Sequence, residues 1–449
     1  MKQLPTHVQF ESLYPADTWF NEVGQIIKFV KEGKSSQLIG APGVGKYAIF
    51  GLLSYNHDVR VRHLGEEQTS YHFVQIDFSE IRNRPLMDVM KMLFLALTDS
   101  LRDRKMMDCY NVLNEFFRNA LSMQDELVMT EELKHALETL VYEHNLTTVY
   151  LFERFEEYVP TLTSEFFTNL RLIRNRVKYH FSVVFSVNKP LEDLLEPQVY
   201  ADFYDQFTGN VIYMPLFDKA STAFRIEQIE EVSGKKVPES VVNELVKLTG
   251  GHGKLMRMCV EAYLAAEEKP KDLEKFLFEQ QTVRAALAEI WFSLSPVEQA
   301  AMRETHNAEK EEASSLEYLE HIGLLKNKSI TIPLLAWYMS SSQRVRESSA
   351  GKIAYDEAAN KITKGSLTLS DDLTSSEFLM LRYLVLHPEE IVSREQLINV
   401  VWGDNRSTAG VTDQALDQLI FRLRKKIEEN PNEPRHTQTV KGRGVKFTP

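Results

Sequence analysis

Cysteine is nearly absent. The 449 residues hold two, Cys109 and Cys259, far apart and without His or Cys at metal-ligand spacing. Neither a disulfide framework nor a zinc site is expected, and both read as core residues. No run approaches the ~20 consecutive apolar residues that a bilayer crossing needs, so no membrane segment is expected. The opening segment MKQLPTHVQFESLYP lacks a basic start followed by an apolar stretch, so no signal peptide and a cytoplasmic location are expected. Positive charge is also short: 52 Lys and Arg stand against 64 Asp and Glu, a net of −12. That balance excludes a chain that coats nucleic acid over its whole surface, so any such contact must be local.

What is present is globular, with 43% hydrophobic and 26% charged residues, and long enough for several domains at ~100–200 residues each. After the short apolar run Ser35–Ile39 comes Gly40-Ala41-Pro42-Gly43-Val44-Gly45-Lys46, which fits the pattern G-x-x-x-x-G-K between a strand and a helix. Such a P-loop lets backbone N–H groups converge on phosphate oxygens while Lys46 adds a point charge and the helix its positive N-terminal end. The next position normally carries a Ser or Thr hydroxyl for Mg²⁺, and here it is Tyr47. Further strands are expected at Phe73–Asp77, at Thr148–Phe152, which ends in Glu153-Arg154-Phe155-Glu156, and at Phe181–Val187, which ends in Asn188. The order of strands and helices predicts a mostly parallel sheet covered by helices.

The acidic end of the second of these strands resembles a Walker B segment, with Glu153 where Asp is usual and Arg154 in the place of the common catalytic Glu. Glu153 and Glu156 are the candidates for Mg²⁺ and water chemistry, against the plainer reading of solvated loop acids. Asn188 stands where related ATPases place a polar γ-phosphate sensor. Arg171, Arg174 and Arg176 on the preceding helix are candidates for reaching a neighbouring subunit, or simply surface charge. Downstream, Gly250-Gly251-His252-Gly253-Lys254-Leu255-Met256-Arg257 resembles the G-G-H-P-x-x-x-R lid element of STAND and origin-recognition-like AAA+ ATPases, with Gly253 in place of Pro. The resemblance covers roughly residues 15–270. It implies a nucleotide site for ATP or ADP made of the loop from Gly40 to Tyr47 together with Asn188, His252 and Arg257, while the departures at Tyr47, Glu153 and Arg154 leave hydrolysis weak at most. Residues 280–340 carry helical spacing at Ala285, Leu287, Ile290, Trp291 and Leu294, then a short strand at 330–333. This reads as a small winged-helix-like domain of the kind that follows such lids and packs on them.

A Ser-rich stretch at 340–351 reads as an exposed linker. Beyond it lie four blocks: 373–384 (LTSSEFLMLRYL), 392–403 (VSREQLINVVWG), 421–428 (FRLRKKIE) and 437–447 (TQTVKGRGVKF). They resemble the OmpR/PhoB-type output domain of response regulators, which implies a small sheet, three helices and a hairpin wing. Independently of that, a helix over 412–428 puts Leu416, Leu419, Ile420, Leu423 and Ile427 on one face and Gln414, Gln418 and Phe421 on the other. Gln can bond adenine edges and an aromatic can touch a thymine methyl. Arg422, Arg424 and Lys425 would grip phosphates, and Arg443 in the Gly442-Arg443-Gly444 turn would enter a minor groove.

The expected architecture is therefore multidomain α/β plus α+β: a P-loop core (1–215), a helical lid (216–275), an intermediate domain (276–340), a linker (341–351) and a winged helix (352–449). The function this order implies is a sequence-specific transcriptional regulator on double-stranded DNA, self-associating, nucleoid-associated when bound and switched by nucleotide. A DNA-anchored replication-initiator or loader ATPase, and a constitutive DNA binder with an empty P-loop, are the alternatives.

Overall fold

The computed structural model describes residues 9–303, 313–349, 353–357, 360–364, 367–402, 413–428, 430–431, 433–440 and 442–449, with backbone alone at 313–315, 342–349, 367, 371 and 413–414. The chain divides into two compact units, Met1–Tyr338 and Met339–Pro449.

The first unit is built on a parallel sheet of five strands, β1 (Ser36–Ile39), β2 (Tyr71–Asp77), β3 (Thr147–Glu153), β4 (Phe181–Val187) and β5 (Val211–Tyr213), in the order β2-β3-β4-β1-β5. β1, β3 and β4 are buried at every residue. Near-continuous apolar runs are what a sheet covered on both faces requires. Beneath β3 and β4 an aromatic cluster fills the core, with Phe152 5.5 Å from Phe185 and Phe78 4.9 Å from Phe155, ring centre to ring centre. The register sets Asp77 opposite Glu153 at the carboxyl ends of β2 and β3, and Asn188 follows β4 directly.

The lid helices follow, Lys219–Ser233, Glu239–Thr249 and Gly253–Ala265, and then Leu273–Glu279, Gln281–Phe292, Pro296–Arg303 and Ala313–His321. A hairpin of β6 (Leu325–Lys326) and β7 (Ser329–Ile330) comes next. Asn327 and Lys328 both have left-handed φ, 50° and 57°, as a two-residue type I′ turn demands. The strand expected at 330–333 is shorter than that, because Pro333 offers no N–H to a ladder and instead starts a helix. That helix runs to Ser349. Residues 340–349 of the stretch read as a linker are helical: propagation from a formed turn costs little, and the sequence has no Gly or Pro there.

The second unit contains a three-stranded antiparallel sheet, β8 (Ile353–Asp356), β9 (Lys361–Lys364) and β10 (Leu367–Thr368). Three helices follow, Ser375–Leu386, Arg394–Trp402 and Asp413–Ile427. A second sheet joins β11 (Ile391–Val392), β12 (Thr437–Val440) and β13 (Gly444–Phe447) in the order β11-β13-β12. Thr374 and Glu377 cap the first helix reciprocally, satisfying two of its orphan amides. Leu416, Leu419, Ile420, Leu423 and Ile427 all enter the core, where Met380, Leu384, Leu397 and Phe447 meet them. Gly444 has φ 141°, and a Cβ there would lie 2.0 Å from the Val392 carbonyl oxygen, so β11 can approach the wing only because this residue is glycine.

Leu419 is fully buried at the centre of that core. Leu419→Ala is expected to lower the unfolding free energy of this unit by about 2–5 kcal/mol, read from the midpoint of the second unit's transition in urea denaturation of the full chain.

Candidate functional site

The glycine loop leaves β1 and runs into the helix Lys46–Tyr55. Gly43 and Gly45 have φ of 78° and 126°, a conformation that side-chain-bearing residues rarely adopt. Ala48 N and Ile49 N both donate to Gly45 O, and ahead of them the Lys46 and Tyr47 amides have no helical carbonyl within reach, the setting in which helix N-termini accept anions. Lys46 Nζ lies 2.6 Å from Gly40 O and 2.6 Å from Asn188 Oδ1, so the loop lysine and the polar residue after β4 are brought together. Loss of water lowers the lysine pKa to about 8, with Glu156 opposing the shift. Both residues line a cavity of about 740 Å³ that also takes in Tyr47, Glu153, Arg154, Glu156, Arg225, Glu289 and Phe292.

Glu153, at the end of β3, is only 7% exposed. Burial raises its pKa to about 7, against a bond from Gln75 Nε2 at 3.1 Å. Arg154 adopts a left-handed φ of 51° and pairs with Asp77. Tyr47 is half exposed and projects a bulky phenol where a short hydroxyl would stand. Of the three arginines before β4, Arg171 pairs with Asp202 and Arg176 with Glu138. Arg174 donates to Gly33 O and lies over the Tyr179 ring.

The GGHGK segment behaves differently from its expected role. His252 does not open toward the phosphate cavity but is wholly buried behind the loop. Its Nδ1 accepts from the Leu255 amide and its Nε2 lies 2.9 Å from Pro42 O. Only a neutral ring protonated at Nε2 makes both bonds, and burial accordingly pushes its pKa down to about 4. Lys254 N–H donates to Gly43 O at 3.0 Å, and a Cβ on Gly253 would lie 3.1 Å from Val44 O. The helix therefore begins directly on the loop. Arg257 pairs with Glu261 and lines a smaller cavity, about 200 Å³, with Tyr14, Val44, Ala48, Ile226 and Met256.

Six residues were not singled out from the sequence as part of the site. Arg225 borders both cavities, its guanidinium 4.6 Å from the Phe10 ring centre. Lys254 pairs with Glu289. Tyr318 donates its hydroxyl to Asn188 O at 2.6 Å, and Lys189 holds the nearly buried Glu298 at 2.8 Å. These last two contacts join the end of β4 to the helices Pro296–Arg303 and Ala313–His321.

In the second unit, Gln418, Phe421, Arg422 and Lys425 are exposed and spaced as one helical row, with Lys425 Nζ 4.9 Å from the Phe421 ring centre. The Gln414 side chain lies outside the described residues. Arg424 is turned inward: its guanidinium bonds Thr437 O at 2.6 Å and Thr439 Oγ1 at 2.7 Å. Glu428 accepts the amides of Arg435, His436 and Thr437. Arg443 is exposed in the turn before β13.

The sheet order, the glycine loop between β1 and its helix, the acidic end of β3 and the polar end of β4 define a P-loop-type α/β core in the first unit. The second unit is a winged helix. Residues 370–447 match the family described as Transcriptional regulatory protein, C terminal. The phosphate regulon transcriptional regulatory protein PhoB of Klebsiella pneumoniae is 38% identical over 96 residues, 21% of this chain and 39% of that one. The chain thus spans about two fifths of the curated relative it matches. The Klebsiella pneumoniae RstA DNA-binding domain in complex with RstA box is 28% identical over 22% of this chain and 92% of its own, with a TM-score of 0.19. A Walker-type ATPase of Pyrococcus abyssi is 16% identical over 75% of this chain and 99% of its own, with a TM-score of 0.46.

Because folding holds His252 neutral while the unfolded chain protonates it near pH 6.5, the unfolded state binds the extra proton in acid. Its contribution to stability is expected to fall as pH drops from about 6.5 toward 4, by up to about 3 kcal/mol. His252→Gln should flatten the pH dependence of urea midpoints for the first unit over that window, and an unchanged slope would refute the role.

Proposed function

We propose that this protein is a sequence-specific DNA-binding transcriptional regulator whose AAA+-type core holds ATP or ADP as a conformational switch of the STAND kind, with hydrolysis weak or absent. One observation carries the reading. A winged helix with an exposed row of Gln418, Phe421, Arg422 and Lys425 belongs to the same chain as a P-loop whose Lys46 meets the polar end of β4.

The fit of a nucleotide rests on the loop geometry. Phosphates would lie against the amides of Gly43, Gly45, Lys46 and Tyr47 and against the Lys46 ammonium, in the larger cavity. The apolar cavity lined by Val44, Ala48, Ile226 and Met256 suits a flat base. The bound nucleotide supplies negative charge at the loop. Lys46 then exchanges Gly40 O and Asn188 Oδ1 for phosphate oxygens, and Asn188 is released to reorient. Through Tyr318 and the Lys189–Glu298 pair, that change reaches the helices that lead in sequence toward the second unit. The switched form self-associates and places winged helices on repeated half-sites of double-stranded DNA. Gln418 and Phe421 read base edges. Arg422 and Lys425 contact phosphates, Arg443 enters the minor groove, and Arg424 braces the wing.

The test is binding-site selection from genomic DNA with the purified full chain, without nucleotide, with ATP and with ADP. A direct-repeat motif whose occupancy changes with nucleotide is expected, and Lys46→Ala should freeze it in one state. A motif indifferent to nucleotide would make the P-loop structural, and DNA-stimulated turnover lost in Lys46→Ala would favour the loader alternative.

On the selected site, Arg422→Ala or Lys425→Ala should weaken binding evenly across sequences and reduce the slope of log K against log salt by about 1. Gln418→Ala should cost about 1–3 kcal/mol and relax the preference at one base pair. Salt titrations by fluorescence anisotropy separate the two effects.

A further inference from the structure

The residues at the carboxyl ends of β2 and β3 do not fit a divalent metal ion. Mg²⁺ demands near-octahedral oxygen ligands at ~2.0–2.1 Å; the candidate oxygens at positions 47, 77 and 153 are committed elsewhere or on the wrong kind of side chain, which leaves Glu156, with one oxygen lacking a hydrogen-bond partner and Lys46 nearby, as a single carboxylate. Tyr47 replaces the short hydroxyl with a half-exposed phenol. Asp77 receives the Arg154 guanidinium. Glu153 accepts Gln75 Nε2 at 3.1 Å on one oxygen, and its other oxygen lies 3.9 Å from Arg154 Nε. Among the described residues no group of three or more His, Cys, Asp or Glu side chains is arranged to hold a metal.

We propose that nucleotide binding at the P-loop is independent of divalent cations, because the guanidinium of Arg154 stands between Asp77 and Glu153 as a built-in counter-ion. The inference rests on the nucleotide reading above. Its backbone basis is visible. Arg154 leaves the strand in a left-handed conformation, unusual for a side-chain-bearing residue, and the following Phe155 is fully buried, which locks the turn. The side chain is half exposed and borders the cavity that contains Lys46 and Asn188. It therefore neutralises the two carboxylates beside it and still presents N–H donors to a phosphate. A guanidinium is permanently charged and matches phosphate oxygens in pairs. An arginine at this position thus does two things: it offsets the repulsion that Asp77, and the ionised fraction of Glu153, would exert on a polyphosphate, and it supplies part of the charge a metal ion would bring.

Equilibrium dialysis of labelled ADP and ATP against the full chain, in EDTA and in Mg²⁺, tests this. The dissociation constants are expected to agree within about threefold between the two buffers. Binding at least about tenfold tighter in Mg²⁺ would overturn the inference while leaving the nucleotide switch intact. Binding in neither buffer would overturn both. Arg154→Gln is expected to weaken binding in EDTA by about tenfold or more, with Mg²⁺ recovering part of the loss, while Arg154→Lys stays within about threefold of the parent. Unchanged binding of Arg154→Gln in EDTA would also overturn it. Thermal melts of both variants separate loss of charge from loss of fold.

Discussion

The first unit depends on one contact, the seating of the helix Gly253–Ala265 on the glycine loop. His252 and the Lys254 amide take the carbonyls of Pro42 and Gly43 from behind. With those carbonyls occupied by His252 and Lys254, the loop is fixed in its left-handed glycine conformation by the helix that packs on it. The same contact makes lid and loop one body. Lys254 then continues the connection through Glu289 to the helix Gln281–Phe292, whose Glu289 and Phe292 wall the cavity. A Gly at 253 is what lets the helix start so close, since a Cβ there would crowd the Val44 carbonyl.

A second line of contacts leaves the cavity at the opposite side. Asn188 offers its side chain to Lys46 and its carbonyl to Tyr318, so one residue meets both the phosphate lysine and a helix more than a hundred positions downstream. Beside it, Lys189 and Glu298 form a pair with side chains 21% and 9% exposed. Removing one partner of such a pair leaves a poorly solvated charge and costs far more than the pair is worth in isolation. The end of β4 and the helix Pro296–Arg303 therefore move together.

The winged helix shows why counting basic residues overstates a DNA-facing surface. Of the charges at the end of the helix Asp413–Ile427, Arg424 fastens β12 and Lys426 binds Glu377 and the Asp372 carbonyl. They hold the first and third helices and the wing in register. Arg422 and Lys425 remain outward, in the same row as Gln418 and Phe421. Helical periodicity separated the two groups by angle, but it could not tell that Arg424, at the margin between faces, would find carbonyl and hydroxyl acceptors on a strand formed after the helix.

The same distinction governs what could be read from the sequence elsewhere. The P-loop, the core strands and the apolar face of Leu416 to Ile427 were legible because each is set by neighbours within a few positions: glycine conformations, continuous apolar runs, period 3.6. Arg225, Glu289 and Tyr318 carry no such local mark. Tyr318 meets Asn188 across 130 positions and His252 meets Pro42 across 210, and only the packed lid brings them together. His252 illustrates the limit sharply, because its motif located it correctly beside the loop yet could not tell front from back. Burial decides that question: a ring with both nitrogens bonded to protein and its pKa driven to about 4 cannot serve as a cationic phosphate ligand near neutrality. The cations that line the larger cavity come from three separate elements, Lys46 from the helix after β1, Arg154 from the end of β3 and Arg225 from a lid helix, so they meet only once the lid has packed, and no local sequence pattern could have grouped them.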